Sequence, residues 1–220
     1  GGAHAIAAVA YGTESIRPVD MIVGPGNRWV TAAKSLVTGV VGIDMLAGPS
    51  ELLVVADETV CPDLIASDLL AQAEHDPDAR PILVTRSAGL IETVNSAIDD
   101  QMADLKTADT ARSAFKNGLA VVCMTDDEIV QVVNTVAPEH LEIIGERVER
   151  LAPHIRHYGG LFLGRDAAEV LGDYGAGPNH TLPTGGTARF TGGLSVFNFL
   201  RVRTWMRIDA LKDAQRLVDD

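Results

Sequence analysis

The chain has 220 residues, 46% of them hydrophobic, enough to fold around the core of one or two domains. Its 18 Lys and Arg against 30 Asp and Glu leave a net charge of -12, a field that repels nucleic acid and anionic membrane surfaces and suits a small or cationic ligand. No run approaches the roughly 18 apolar residues of a membrane helix, no signal-type segment opens the chain, and Cys61 and Cys123 lack the spacing of a disulfide framework or a Cys-based zinc site. The expectation is a soluble protein of a reducing cytoplasm, with no nucleic-acid or membrane partner.

The opening Ala-rich stretch predicts a helix, and the apolar run 19–23 a strand that enters Gly24-Pro25-Gly26-Asn27 and a second helix over 28–37. Such a strand, glycine turn and helix can bring backbone N–H groups to an anion or dinucleotide. It lacks the third glycine of GxGxxG, since Trp29 stands there, and a plain tight turn explains it equally well. Runs at 40–45 and 52–56 flank Gly48-Pro49-Ser50, which marks a change of direction and a domain boundary near 50. Helical spacing from Pro62, stopped by Pro77, predicts a helix over about 62–76. Gln72 and His75 then lie three apart on one face, within reach of one ion or ligand, or form the solvated end of an amphipathic helix.

Strand 81–85, helix 88–105, a helical segment near 109–117, strand 119–124 and helix 126–136 follow. Strands alternating with helices at these spacings mean parallel βαβ units, an α/β fold whose ligands are expected beyond the carboxyl ends of strands. Glu139 and His140 combine groups that titrate near 4.3 and 6.5, a common acid/base pair, but could equally be a solvated strand entry at 141–144. A helical segment at 148–155 and a strand at 160–163 lead to an irregular polar stretch over 172–186. Its Asp173, Asn179 and His180 favour function over disorder. His154 and His157 flank a helix end beside arginines and are assigned to the surface or to capping. A helix over 194–205 and a charged helical tail close the reading.

In chain order the segments GGAHAIAAVAYGTESI, VGPGNRWVTAAK, IDMLAGPSELLVVAD, SDLLAQAEHDPD, PEHLEI and GDYGAGPNHTLPTGGTARF resemble the histidinol dehydrogenases. The resemblance implies two incomplete Rossmann-like parallel-sheet domains with flanking helices. Residues 1–49 would belong to a nucleotide-side domain and 50–194 to the main domain, with 195–220 a C-terminal helical segment. It implies a zinc-dependent, NAD-linked enzyme that oxidises L-histidinol to L-histidine in two hydride transfers through an aldehyde. Gln72, His75 and Asp173 would be zinc ligands that hold the substrate, His140 the base that removes the alcohol proton, and Glu139 the group that activates water for the second oxidation. Ser50 and His180 match substrate-contacting positions, joined there by Gln72, His75, His140 and Asp173; Asn27 matches a nucleotide-contacting one.

Two features depart from the family pattern. His4 stands where the family usually has glutamine in GGAQ, at a cofactor-contacting position. The family chain is also longer at both ends, and its C-terminal part gives a glutamate and a zinc-binding histidine to the partner subunit of a homodimer. No His or Cys follows His180 in this sequence. The expectation is therefore the central portion of the enzyme, or a divergent relative without its tail. The alternatives are a relative that oxidises another small polyol such as a sulfonated propanediol, suggested by His4 and Thr191-Gly192-Gly193-Leu194, and a non-catalytic binding or assembly protein on the same scaffold.

Overall fold

Every residue of strand β3 (Glu51–Ala56) is buried, as a parallel strand covered on both faces requires. The computed structural model describes residues 1–173, 180–210, 214, 215 and 218, the Asp173 side chain excepted. Around β3 a five-stranded parallel sheet runs in the order β5-β4-β3-β6-β7. Its other strands are β4 (Arg80–Thr85), β5 (Leu119–Val122), β6 (His140–Ile144) and β7 (Gly160–Leu163). A smaller parallel pair joins β1 (Met21–Ile22) to β2 (Gly42–Ile43). The expected α/β class, with parallel sheets and flanking helices, is what the chain forms.

Alternation along β3 divides the core. Leu52, Val54 and Ala56 pack with helices α3 (Pro62–Ala73), α4 (Ala88–Met102) and α5 (Ala108–Ala114). Leu53 and Val55 pack on the other face with α6 (Asp126–Val136) and a 3-10 turn, Glu149–His154. On the small sheet, Ile6 and Ala10 of α1 (Gly2–Tyr11) meet Val37 of α2 (Arg28–Val37).

Helix α6 is closed at both ends by its own sequence. Thr125 and Glu128 form a reciprocal capping box at the start, and Ala137 turns left-handed at φ 50° at the end. That turn hands the chain to Pro138 and then to Glu139 and His140.

Three elements differ most from expectation. Helix α3 ends at Ala73 rather than near 76, so Glu74 is its cap and His75 lies in the following turn. Pro77 disfavours helical geometry just before it, and the Glu74 carboxylate is engaged by the Thr107 hydroxyl at 2.7 Å. The 148–155 segment is 3-10 because Pro153 lies within it and has no N–H to give. Residues 194–205 form no α-helix. Only Val196–Phe199 makes a 3-10 turn, and Phe197, Phe199, Leu200 and Trp205 are exposed, without the core that would stabilise an amphipathic helix. Most of the expected charged helical tail lies outside the described residues.

Candidate active site

Seven residues, 44–50, separate the carboxyl end of β2 from the amino end of β3. This short link turns the carboxyl ends of the small sheet toward the amino ends of the large one, and the cleft lies between them. One cavity, of about 280 Å³, is bounded by Gly24, Lys34, Asp44, Ser50, Glu139 and His180, among others. A second, of about 310 Å³, runs past Asn27, Thr31, Ser50 and Asp76. A third, of about 290 Å³, is lined by Ser50, Gln72, His75, Asp76, Glu139, His140, Glu169 and His180. Ser50 borders all three. The expectation that chemistry gathers beyond strand carboxyl ends holds for β1 and β2 and fails for the large sheet, which presents its amino ends.

The glycine turn after β1 is clamped from within. Lys34 is buried and its Nζ donates at 2.6 Å both to the Gly24 carbonyl and to Asp44 Oδ1, while Gly24 N–H and Met45 N–H donate to the same carboxylate. Burial pushes the Asp44 carboxyl up, but these hydrogen bonds and the Lys34 charge outweigh it and hold Asp44 below its usual range. Gly24 sits at φ 129°, where a Cβ would be strained. Asn27 caps α2, its Oδ1 accepting the N–H groups of Trp29 and Val30 at 3.1 and 3.3 Å, so that oxygen is engaged by the helix. His4 is exposed on α1 and borders none of these three cavities.

His140 opens β6, and its imidazole is held at one edge by a carbonyl and faced at the other by a carboxylate. Nδ1 lies 3.1 Å from the Glu51 carbonyl, which can only accept, so Nδ1 carries the hydrogen and Nε2 the lone pair. Nε2 lies 3.4 Å from Glu169 Oε1, and the Phe162 ring stands 6.1 Å away, centroid to centroid. The Glu51 that supplies the carbonyl is itself pinned, its carboxylate accepting from Arg80 at 3.0 Å and from Gly185 N–H at 3.3 Å. Chain packing behind the pair is tight: a Cβ on Gly159 would fall 2.5 Å from the Glu139 carbonyl oxygen.

Glu139 shares the pocket, and the solvated strand-entry reading does not hold, since Glu139 is 7% and His140 9% exposed. Glu139 Oε2 accepts the Glu51 N–H at 3.0 Å and lies 3.7 Å from His140 Nδ1. Burial, then the nearby charges of Glu51 and Glu169, push its carboxyl up to about 8 despite that hydrogen bond. A carboxyl titrating near neutrality is suited to trade a proton with water.

Behind His140 on the same face of β6 stands Glu142, 1% exposed, against Asp68 of α3. Among the described residues Glu142 Oε2 and Asp68 Oδ2 find no partner beyond the bond that the two carboxyls share. Burial, then the charges of Asp68 and Glu169, push Glu142 up to about 8, and burial, then Glu169, pushes Asp68 to about 6. A carboxyl raised on folding stabilises the fold while protonated, below its unfolded value near 4.5. That contribution is lost as pH climbs through about 8. In the chelator-treated chain Tm should therefore fall from pH 5 to pH 8.5. Glu142→Gln should flatten that slope and raise Tm at pH 8.5 by ~3–10 °C, taking ~1–3 kcal/mol at about 2–4 °C per kcal/mol. Parallel melting curves for the two proteins would refute this.

The family resemblance brings Gln72, His75 and Asp173 to one metal. Gln72 is 1% exposed, both its amide atoms lack a partner among the described residues, and it shares the third cavity with the exposed His75. Asp173 ends a 3-10 turn, Glu169–Asp173, and its side chain lies outside the described residues. Among the described residues no three His, Cys, Asp or Glu groups converge as a metal cluster. A buried amide with an unspent oxygen beside an imidazole nonetheless fits an ion that takes oxygen and nitrogen donors. Ser50 and His180 border the same cavity. Sequence reasoning misses Glu51, Asp68, Glu142, Glu169 and the Lys34–Asp44 pair. A charge inside an otherwise apolar strand, as in His140-Leu141-Glu142-Ile143-Ile144, is the signal that could have found Glu142.

A buried, tautomer-fixed imidazole beside a buried carboxyl near neutrality, in a cleft between two parallel sheets, is an arrangement suited to acid–base chemistry. The sequence profile of the family described as histidinol dehydrogenase matches residues 1–219. Histidinol dehydrogenase of Acinetobacter baylyi is 51% identical over 90% of this chain and 46% of its own, and that of Nitratidesulfovibrio vulgaris 54% identical over 91% and 46%. The crystal structure of histidinol dehydrogenase from Elizabethkingia anophelis superimposes with a TM-score of 0.85 at 41% identity, over 90% of this chain and 46% of that one. Gamma-glutamyl phosphate reductase of Thermotoga maritima, 12% identical with a TM-score of 0.50, shares the fold alone. The chain belongs to the histidinol dehydrogenase family. It spans about half the length of the curated relatives it matches.

Proposed function

We propose that this chain carries the catalytic cleft of a zinc- and NAD-dependent dehydrogenase that oxidises L-histidinol to L-histidine through the aldehyde. The observation that carries the reading is the His140 imidazole, held by the Glu51 carbonyl with Nε2 toward the cavity that Gln72 and His75 border. Zinc, held by Gln72, His75 and Asp173, would supply a Lewis-acid anchor for the substrate nitrogens.

The protein's own groups then divide the work. His140 Nε2 takes the alcohol proton, and NAD, when bound, would supply the acceptor for the hydride of the carbinol carbon. Glu139, titrating near neutrality, takes a proton from the water that adds to the aldehyde before the second hydride leaves. Ser50 and His180 hold the substrate at the cavity mouth. Asn27, through groups other than its capping oxygen, and His4 serve the nucleotide side. The active form is a cytoplasmic homodimer whose partner subunit completes the metal shell.

The test is zinc content together with NADH production from histidinol and NAD, in a form extended at both ends to the length of the relatives. Gln72→Leu should lower zinc content at least about tenfold, and the parent should turn over histidinol. No zinc binding and no histidinol-dependent NADH would reject the reading. Turnover of a sulfonated propanediol instead would transfer it to a polyol-oxidising relative.

A further inference from the structure

Resting on that reading, we propose that Glu169 is the positioning residue of the site: its carboxylate faces the Nε2 edge of His140 and balances the charge of, and orients, the imidazolium formed when Nε2 accepts the alcohol proton.

The imidazole has two polar edges, and the described residues set a carbonyl against one and a carboxylate against the other. With Nδ1 donating to the Glu51 carbonyl at 3.1 Å, Nε2 is the atom left to accept a proton. Glu169 Oε1 stands 3.4 Å from it, and Glu169 is 8% exposed. An anion so placed favours the protonated ring, because opposite charges at this range interact strongly where water is excluded. In the proton-transfer step the substrate O–H bond breaks and the Nε2–H bond forms. The oxygen's electron pair makes the carbonyl as hydride leaves, and the positive ring faces the Glu169 carboxylate. Glu169 need not touch the substrate.

Other titratable groups surround this pair. Glu142 shares the β6 face, Asp68 reaches in from α3, Glu139 precedes β6, and His75 and His180 border the same cavity. Three of these are carboxyls raised by burial, so near neutrality a large share of their negative charge is withheld. Among the described residues Glu169 is the carboxylate in direct contact range of Nε2, and its removal should be felt by the ring. The 3-10 turn that carries it, Glu169–Asp173, is seated against Phe162, since a Cβ on Gly172 would lie 3.1 Å from that ring.

The test reads the ring directly. The Cε1–H resonance of His140 in the metal-free 220-residue chain, assigned by its loss in His140→Ala, is titrated in the parent and in Glu169→Gln. The expected result is a midpoint lower by about one pH unit or more in the variant. In the extended enzyme Glu169→Gln should lower kcat for histidinol at least about tenfold, change KM less than about threefold, and move the ascending pH limb to lower pH. An NMR midpoint within about 0.2 unit of the parent's overturns the proposal. If Glu169→Gln does not fold, Glu169→Asp carries the titration. A midpoint between those of a charged and an absent partner supports the role, and an unchanged one overturns it. Should the parent fail to oxidise histidinol, the titration still decides the role of Glu169, and the substrate reading alone falls.

Discussion

Replacing His140 by alanine is expected to lower histidinol turnover in the extended enzyme by about 10²–10⁴, the usual contribution of a positioned proton acceptor. Zinc content should stay at the parent level, because His140 is held by Glu51 and Glu169 rather than by the Gln72 and His75 side of the cavity. The alanine leaves no group that can take a proton at the position of Nε2. Exogenous imidazole should restore part of the rate if the lost function is the base itself. A matching experiment supplies the aldehyde directly: the second oxidation should suffer more from Glu139→Gln than from His140→Ala. Equal losses in both variants on both substrates would overturn the division of labour.

The second large effect is on stability. Lys34→Met is expected to destabilise the chain by about 3–5 kcal/mol, because it leaves the Asp44 carboxylate buried without its cation. The side chains of Lys34 and Asp44 are 5% and 1% exposed and lie 2.6 Å apart. Two backbone donors, Gly24 N–H and Met45 N–H, still serve Asp44 and place the effect nearer the lower figure. At about 2–4 °C per kcal/mol for a chain of this size, Tm should fall by ~6–12 °C. Adding Asp44→Asn should recover part of the loss, since removing the buried charge removes the larger cost. A single variant melting within about 2 °C of the parent would show that the pair is dispensable. The consequence for function is local. The same lysine holds the Gly24 carbonyl, so the glycine turn after β1 should loosen with it.

Much of this molecule is legible in its residues alone. Buried parallel strands announce themselves as continuous apolar runs, and the strand at 160–163 and the helix at 126–136 adopt the bounds that their patterns give them. The capping box of Thr125 and Glu128 and the stop at Pro138 are local signals, decided within a few residues. Residue type and spacing single out Gln72, His75, Glu139 and His140, and the structure brings them to one cavity. The helix expected at 194–205 does not form because periodicity states which face wants to be buried, not whether anything is there to bury it. Phe197 and Trp205 remain exposed.

What the sequence by itself determined is the α/β class, the strand and helix order and the chemical vocabulary of the site. Each of these depends on interactions between residues close in the chain or on a repeating pattern. Which end of the large sheet bears the site was decided only in three dimensions. The short link 44–50 sets the carboxyl ends of β1 and β2 against the amino ends of β3, β6 and β7. The tautomer of His140 depends on a carbonyl 89 residues away, and its second edge on a glutamate from the turn after β7. Residues so far apart in sequence leave no spacing to read, because the pairing of β3, β6 and β7 within the large sheet, rather than chain geometry, brings them together.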